Sequence, residues 1–245
     1  MQINRRRVIL TGLAAVMTAL GPVARGQDQG QALVAVATNF ANVAKVLADD
    51  FEAKTGLHIT IASGSTGQLY AQIVNGAPYD VFLAADQERP EKLEAAGLGE
   101  GRFTYARGHI ILWSPTGAAH ENILREGDFK HLAIANPALA PYGRAAQEAL
   151  QSLGLWERVQ SKIVMGQNIG QAYALIASGN AEIGFVDNSH LLEMGGHWAV
   201  PPNLYSPILQ DAVLLNPTPV ARTFMSYLTS DAARAIIADA GYSLP

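Results

Sequence analysis

Residues 31–56 read QALVAVATNFANVAKVLADDFEAKTG, and the change of rhythm inside them decides the fold. Residues 33–37 are an unbroken apolar run of strand length, the pattern of a strand buried on both faces. After Thr38-Asn39-Phe40 the period changes. Val43, Val46, Leu47 and Phe51 recur near helical spacing, and Gly56 closes the segment. The same succession then repeats. Residues 57–62 predict a second strand and 68–74 a second helix, ended by Asn75-Gly76. Residues 79–83 predict a third strand and 88–96 a third helix, ended by Gly97. A βαβαβα order argues for a parallel sheet with helices on both faces.

The pattern breaks at 103–106 and 109–113, two strand-like runs separated only by Arg107-Gly108. A second α/β series follows, with strands at 132–135, 162–165 and 182–186 and helices at 144–153 and 170–178. Beyond a stretch containing Pro201, Pro202 and Pro207 come a strand at 212–215 and helices at 219–228 and 231–240. The expected architecture is α/β with two lobes joined by two crossing strands. Residues 27–106 plus 210–245 would form the first lobe and 107–209 the second, with a ligand cleft between them. No internal repeat or low-complexity tract interrupts this.

Upstream of the fold, Arg5, Arg6 and Arg7 precede an apolar run over 8–20, and small residues follow at 22–26. This is the layout of a secretory signal peptide, here 1–26, and the run is too short for a membrane-spanning helix of about 20 apolar residues. The arginines also resemble a twin-arginine export signal. The chain is therefore expected in the periplasm as a soluble protein. It has no cysteine, which removes disulfides, thiolate metal sites, a cysteine nucleophile and a lipid-anchored N-terminal cysteine together. Without the leader's four arginines the formal net charge falls from −4 to −8, the wrong sign for a nucleic-acid binder.

Four places share one signature: a strand ends, a short polar or glycine-rich turn follows, and a helix begins. They are Ala37-Thr38-Asn39-Phe40, Ser63-Gly64-Ser65-Thr66-Gly67, Ala140-Pro141-Tyr142-Gly143 and Gln167-Asn168-Ile169-Gly170. A helix N-terminus presents unpaired N–H groups and about half a positive charge, which suits an anion. Any one such turn alone reads as an ordinary cap. Four of them, two per lobe and all at carboxyl ends of strands, predict convergence on one cleft.

The same residues resemble the periplasmic molybdate-binding proteins. The resemblance is carried by Ala-Thr-Asn-Phe after the first strand, by Gly-Ser-Thr-Gly before a Leu-Tyr-Ala-Gln-Ile helix, and by the block running from Asn75 to Asp86. Asn136-Pro137, Ala140-Pro141-Tyr142-Gly143 and the closing Ala-Gly-Tyr extend it over the whole mature chain. It implies a type II periplasmic-binding fold and a dehydrated tetrahedral oxyanion, molybdate or tungstate, handed to the membrane permease of an ABC importer by a monomeric receptor with no cofactor.

Carried over position by position, Thr38, Asn39, Ser65, Thr66, Tyr142 and the Ile169 backbone N–H would hold the oxyanion. Asn168, Arg144 and Asp187 are candidates for supporting places around them. Thr66 stands where the family usually has serine. Asp187 stands where another branch has a ligand tyrosine, and a carboxylate beside a dianion only accepts. Either it points away as an acceptor, as expected, or the ligand carries a proton that Asp187 receives.

Three rivals remain at this level. Phosphate, sulfate, bicarbonate or another small anion would use the same turns. A metal receptor would draw on Asp187, His190, Glu193 and His197, which lack a recognised ligand spacing. An enzyme would need a catalytic motif. Gly64-Ser65-Thr66-Gly67 is not a nucleophile elbow, and Asp80 and Asp86 read as strand and helix caps.

Overall fold

The structure, a computed structural model, describes residues 30–117, 119–190 and 196–245. The expected signal peptide lies outside these residues. Strand β1 (Gln31–Ala37) forms because its apolar run has nowhere to hide but a sheet interior. Parallel β2 (His58–Gly64) flanks it on one side and β3 (Val81–Leu83) on the other. The helix α1 (Ala41–Thr55) connects β1 to β2 and turns Val43, Ala44, Leu47, Ala48 and Phe51 inward. Val46, grouped by spacing with that face, lies outside it at 52% exposure. Gly56 ends α1 at φ 70°, returning its N–H to Glu52 O. Helices α2 (Thr66–Val74) and α3 (Glu88–Ala95) follow β2 and β3.

The chain then leaves this sheet. Strand β4 (Glu100–Gly108) is followed, one residue later, by β5 (Ile110–Trp113), which belongs to a second sheet. That sheet contains β6 (Leu132–Ala135), β7 (Ile163–Gly166), β8 (Ile183–Asp187) and β9 (His197–Ala199) in the order β7-β6-β8-β5-β9. Helices α4 (Glu121–Glu126), α5 (Pro141–Ser152), α6 (Trp156–Val159) and α7 (Ile169–Ala177) accompany it. Strand β10 (Ile208–Leu214) returns to the first sheet and lies antiparallel between β3 and β4. Helices α8 (Pro219–Leu228) and α9 (Asp231–Asp239) pack on its core, where Phe224 meets Phe51 edge-on at 5.3 Å. Each sheet thus has two parallel and two antiparallel ladders.

Where β4 meets β10, the Asp211 carboxylate is fully buried and accepts from Arg102 Nη1 (2.6 Å) and Thr104 Oγ1 (2.7 Å). Asp211, first in effect, holds the Arg102 guanidinium's pKa above its ordinary value. Removing one partner of such a pair leaves an uncompensated charge in the interior. Arg102→Met is therefore expected to lower stability by about 2–4 kcal/mol, read as a lower urea midpoint at unchanged slope. An unchanged midpoint would mean that Thr104 and the neighbouring amides suffice.

Candidate functional site

All four turns come to one place. Their strands β1, β2, β6 and β7 end at the side of each sheet that faces the other lobe, so the helices after them start toward a common point. The cavity there is lined by Thr38 and Asn39 from the first turn, Ser65 and Thr66 from the second, Tyr142 from the third, and Asn168 and Ile169 from the fourth. Its free volume is about 10 Å³, on the order of one water-sized sphere, so a hydrated ion has no room. Ala37, Ala85, Ala140 and Pro141 complete its walls, and the three alanines belong to an apolar cluster that continues from the first lobe into the core of the second.

The donors are aimed by what they accept. Thr66 Oγ1 accepts the Ala85 N–H at 3.2 Å, and Ser65 Oγ accepts the Gln68 N–H at 3.3 Å as the cap of α2. A hydroxyl whose lone pair is engaged in this way keeps its proton to give. Asn168 Oδ1 caps α7 by accepting the Gln171 N–H at 2.9 Å, which leaves Ile169 as the first helical residue. The first-turn N–H groups of Thr66, Tyr142, Ile169 and Gly170 have no helical carbonyl to meet. That of Gly67 does have a partner: it donates across the cleft to Leu139 O at 2.9 Å. Among the described residues, Thr38 Oγ1 is the buried side-chain polar atom with no hydrogen-bond partner. Leaving a buried hydroxyl unpaired costs about 1–3 kcal/mol, so this atom is a donor still open to an acceptor.

Asn39 differs from its sequence-based expectation in how it faces the site. Its Nδ2 donates to Gln210 Oε1 (2.8 Å) and Tyr242 Oη (3.1 Å), with Tyr142 Oη at 3.4 Å, so the side-chain amide knits a buried network behind the pocket. What Asn39 leaves to the cavity is its backbone. Tyr142 Oη also receives Gln210 Nε2 at 3.4 Å, and burial pushes the Tyr105, Tyr142 and Tyr242 hydroxyls up, keeping them protonated. The network's distant members, Gln210 and Tyr242, come from β10 and the C-terminal tail, and no local motif signals them beyond the closing Ala-Gly-Tyr.

Two candidates fall outside the cavity. Asp187, 1% exposed at the end of β8, accepts from the Ser189 N–H (3.1 Å) and hydroxyl and does not line the cavity. Arg144 lies in a neighbouring cleft and donates to Glu88 of the other lobe at 3.2 Å. No cluster of three metal-ligating side chains occurs among the described residues, and Glu193 lies outside them. Asp80 accepts the Leu33 N–H and the Asn216 amide, and Asp86, in the turn two residues before α3, accepts the Arg89 N–H of that helix's first turn.

Two α/β lobes, crossed by β4–β5 and by the return to β10, with a small pocket of neutral donors between them, define a solute receptor. A family profile described as bacterial extracellular solute-binding protein matches residues 32–243. The chain belongs to this family. It is 43% identical over 247 residues to the molybdate-binding protein ModA of Azotobacter vinelandii, covering 95% of this chain and 98% of that one. It is 42% identical to ModA of Rhodobacter capsulatus, covering 95% and 94% respectively. The solved periplasmic molybdate-binding protein of Azotobacter vinelandii superimposes with a TM-score of 0.84, over 87% of this chain and 99% of its own.

Proposed function

We propose that this protein is an exported receptor that captures molybdate or tungstate between its lobes and delivers it to an ABC importer. The orphaned Thr38 hydroxyl carries the reading: it is a buried donor without an acceptor, in a cavity whose other groups are donors too. Thr38, Ser65, Thr66 and Tyr142 would give hydroxyl protons, and Asn39, Ile169 and their neighbours backbone N–H groups, to a dehydrated dianion. Among the described residues, no cationic side chain lines the cavity. Charge is met instead by helix N-termini and short charge-assisted hydrogen bonds, each worth about 1.5–3 kcal/mol net. Choice among tetrahedral anions would rest on fit, because fixed donors cannot follow a smaller ion inward. Asp187, already engaged by Ser189, would stay clear of the ligand. The protein would act in the periplasm as a soluble monomer, binding and releasing without catalysis or cofactor. Its relatives are named for molybdate binding, which favours that ligand over sulfate, phosphate or bicarbonate.

A thermal-shift screen tests this. Molybdate and tungstate at micromolar concentration should raise the unfolding midpoint, with sulfate, phosphate and Zn²⁺ far weaker. Thr38→Val, which keeps the shape and removes the hydroxyl, should weaken molybdate binding about 10- to 100-fold by calorimetry. If no oxyanion shifts the midpoint, the ligand class is wrong. If Thr38→Val binds like the wild type, the carrying observation is lost.

A further inference from the structure

The loop between β6 and α5 is held rigid by its own first residue. Asn136 Oδ1 accepts the Ala138 N–H at 3.0 Å, and Asn136 O accepts those of Leu139 (3.0 Å) and Ala140 (2.9 Å). Two consecutive carbonyls of this turn, Ala138 O and Leu139 O, accept hydrogen bonds from the other lobe. Leu139 O accepts the Gly67 N–H at 2.9 Å, and Ala138 O accepts Arg89 Nη2 at 3.2 Å. Gly67 and Arg89 stand side by side: a Cβ on Gly67 would lie 3.2 Å from Arg89 Nη2. Arg89 is itself anchored, since Asp86 accepts from both its guanidinium and its backbone N–H (3.1 Å). The Asp86 side chain is 5% exposed and that of Arg89 17%.

We propose that Arg89 is a positioning residue for lobe closure: clamped by Asp86, it bolts the Ala138–Leu139 turn to the first lobe and sets how long the shut cleft retains its ligand. The turn leads straight into α5, so gripping it fixes the N-terminus that presents Tyr142 to the pocket. The bond to Ala138 O crosses the cleft and forms only when the lobes meet. Its loss therefore belongs to dissociation. The Arg89–Asp86 pair is neutral as a unit, so it lends the cleft little long-range attraction and leaves association untouched. The retained ligand is the oxyanion proposed above, whereas the bolt itself is a contact between lobes.

The chain has no cysteine, so one label can be placed on each lobe by Lys45→Cys and Lys130→Cys, both exposed positions. Energy transfer between the labels, with and without molybdate, and stopped-flow release of molybdate are compared for wild type, Arg89→Met, Asp86→Asn/Arg89→Met and Arg89→Lys. Arg89→Met should open the lobes relative to wild type and speed release about tenfold, the worth of one charge-assisted hydrogen bond. Arg89→Met leaves the Asp86 carboxylate uncompensated and should also lower the ligand-free midpoint, so the charge-balanced Asp86→Asn/Arg89→Met is the control. It should still open the lobes and speed release while its association rate stays within twofold of wild type, and Arg89→Lys should recover part of the loss. Equal interlobe distances and release rates in wild type and Arg89→Met overturn the proposal. So does a loss that appears only in ligand-free stability. If wild type ignores molybdate, the functional reading fails, and the interlobe distances alone decide the bolt.

Discussion

Gly170→Ala is expected to cripple ligand binding while leaving the second lobe as stable as before. Gly170 is the second residue of α7, and a Cβ there would lie 2.7 Å from the Thr38 Cγ2 methyl on the opposite lobe. Real Cβ atoms do not approach a neighbour so closely. Within its own lobe the added methyl meets nothing nearer than Asn168 Oδ1 at 3.4 Å. Alanine also suits a helix better than glycine by about 1 kcal/mol, although the gain at the second position is smaller. The clash therefore exists only when the lobes close. Overpacking of this kind costs about 1–3 kcal/mol, which corresponds to a 5- to 150-fold rise in Kd for molybdate. Thr38→Ser removes the obstructing methyl and keeps the hydroxyl, so the double variant should regain most of the affinity. A calorimetric double-mutant cycle reads the coupling directly. Additive effects would mean that the two residues do not meet in the bound state.

Gly108→Ala should strike the same site from behind. Gly108 ends β4 beside the crossing to β5, and a Cβ on it would sit 2.0 Å from Tyr142 Oη and 2.8 Å from Cζ. Tyr142 is 2% exposed and wedged into the second lobe's core, so the ring has no free space into which to retreat. Its hydroxyl would leave the pocket together with its contacts to Asn39 and Gln210. One lost donor at about 1–3 kcal/mol plus comparable strain predicts a Kd raised about 100-fold or more. Tyr142→Phe isolates the donor's share and should cost less than Gly108→Ala. If Gly108→Ala binds normally, Tyr142 does not hold the ligand from this position.

Much of the architecture was legible along the chain because strand and helix periods are local. The run at Gln31–Ala37, the glycine stop at Gly56 and the helix Pro219–Leu228 follow from which neighbours are apolar and which residue tolerates a left-handed turn. Two helices begin before their apolar rhythm does: at Pro141 where the rhythm predicts 144, and at Thr66 where it predicts 68. The first helical turn faces the cleft in both places, so its residues were chosen for the site and carry no amphipathic rhythm. The short elements α4, α6 and β9 escaped for want of length.

What the sequence settled alone was the kind of surface available: four helix N-termini with hydroxyl and amide residues, no thiols, and no cation among the turns. Hydrogen-bond allocation was decided only by the tertiary structure. Folding gave the Asn39 amide to Gln210 and Tyr242, the Gly67 amide to Leu139 and the Arg89 guanidinium to Ala138, and it left Thr38 with no partner. The reason is physical. A donor's residue type is written in the chain, but its acceptor is whichever group three-dimensional packing brings within about 3 Å, here from as far as 203 positions away.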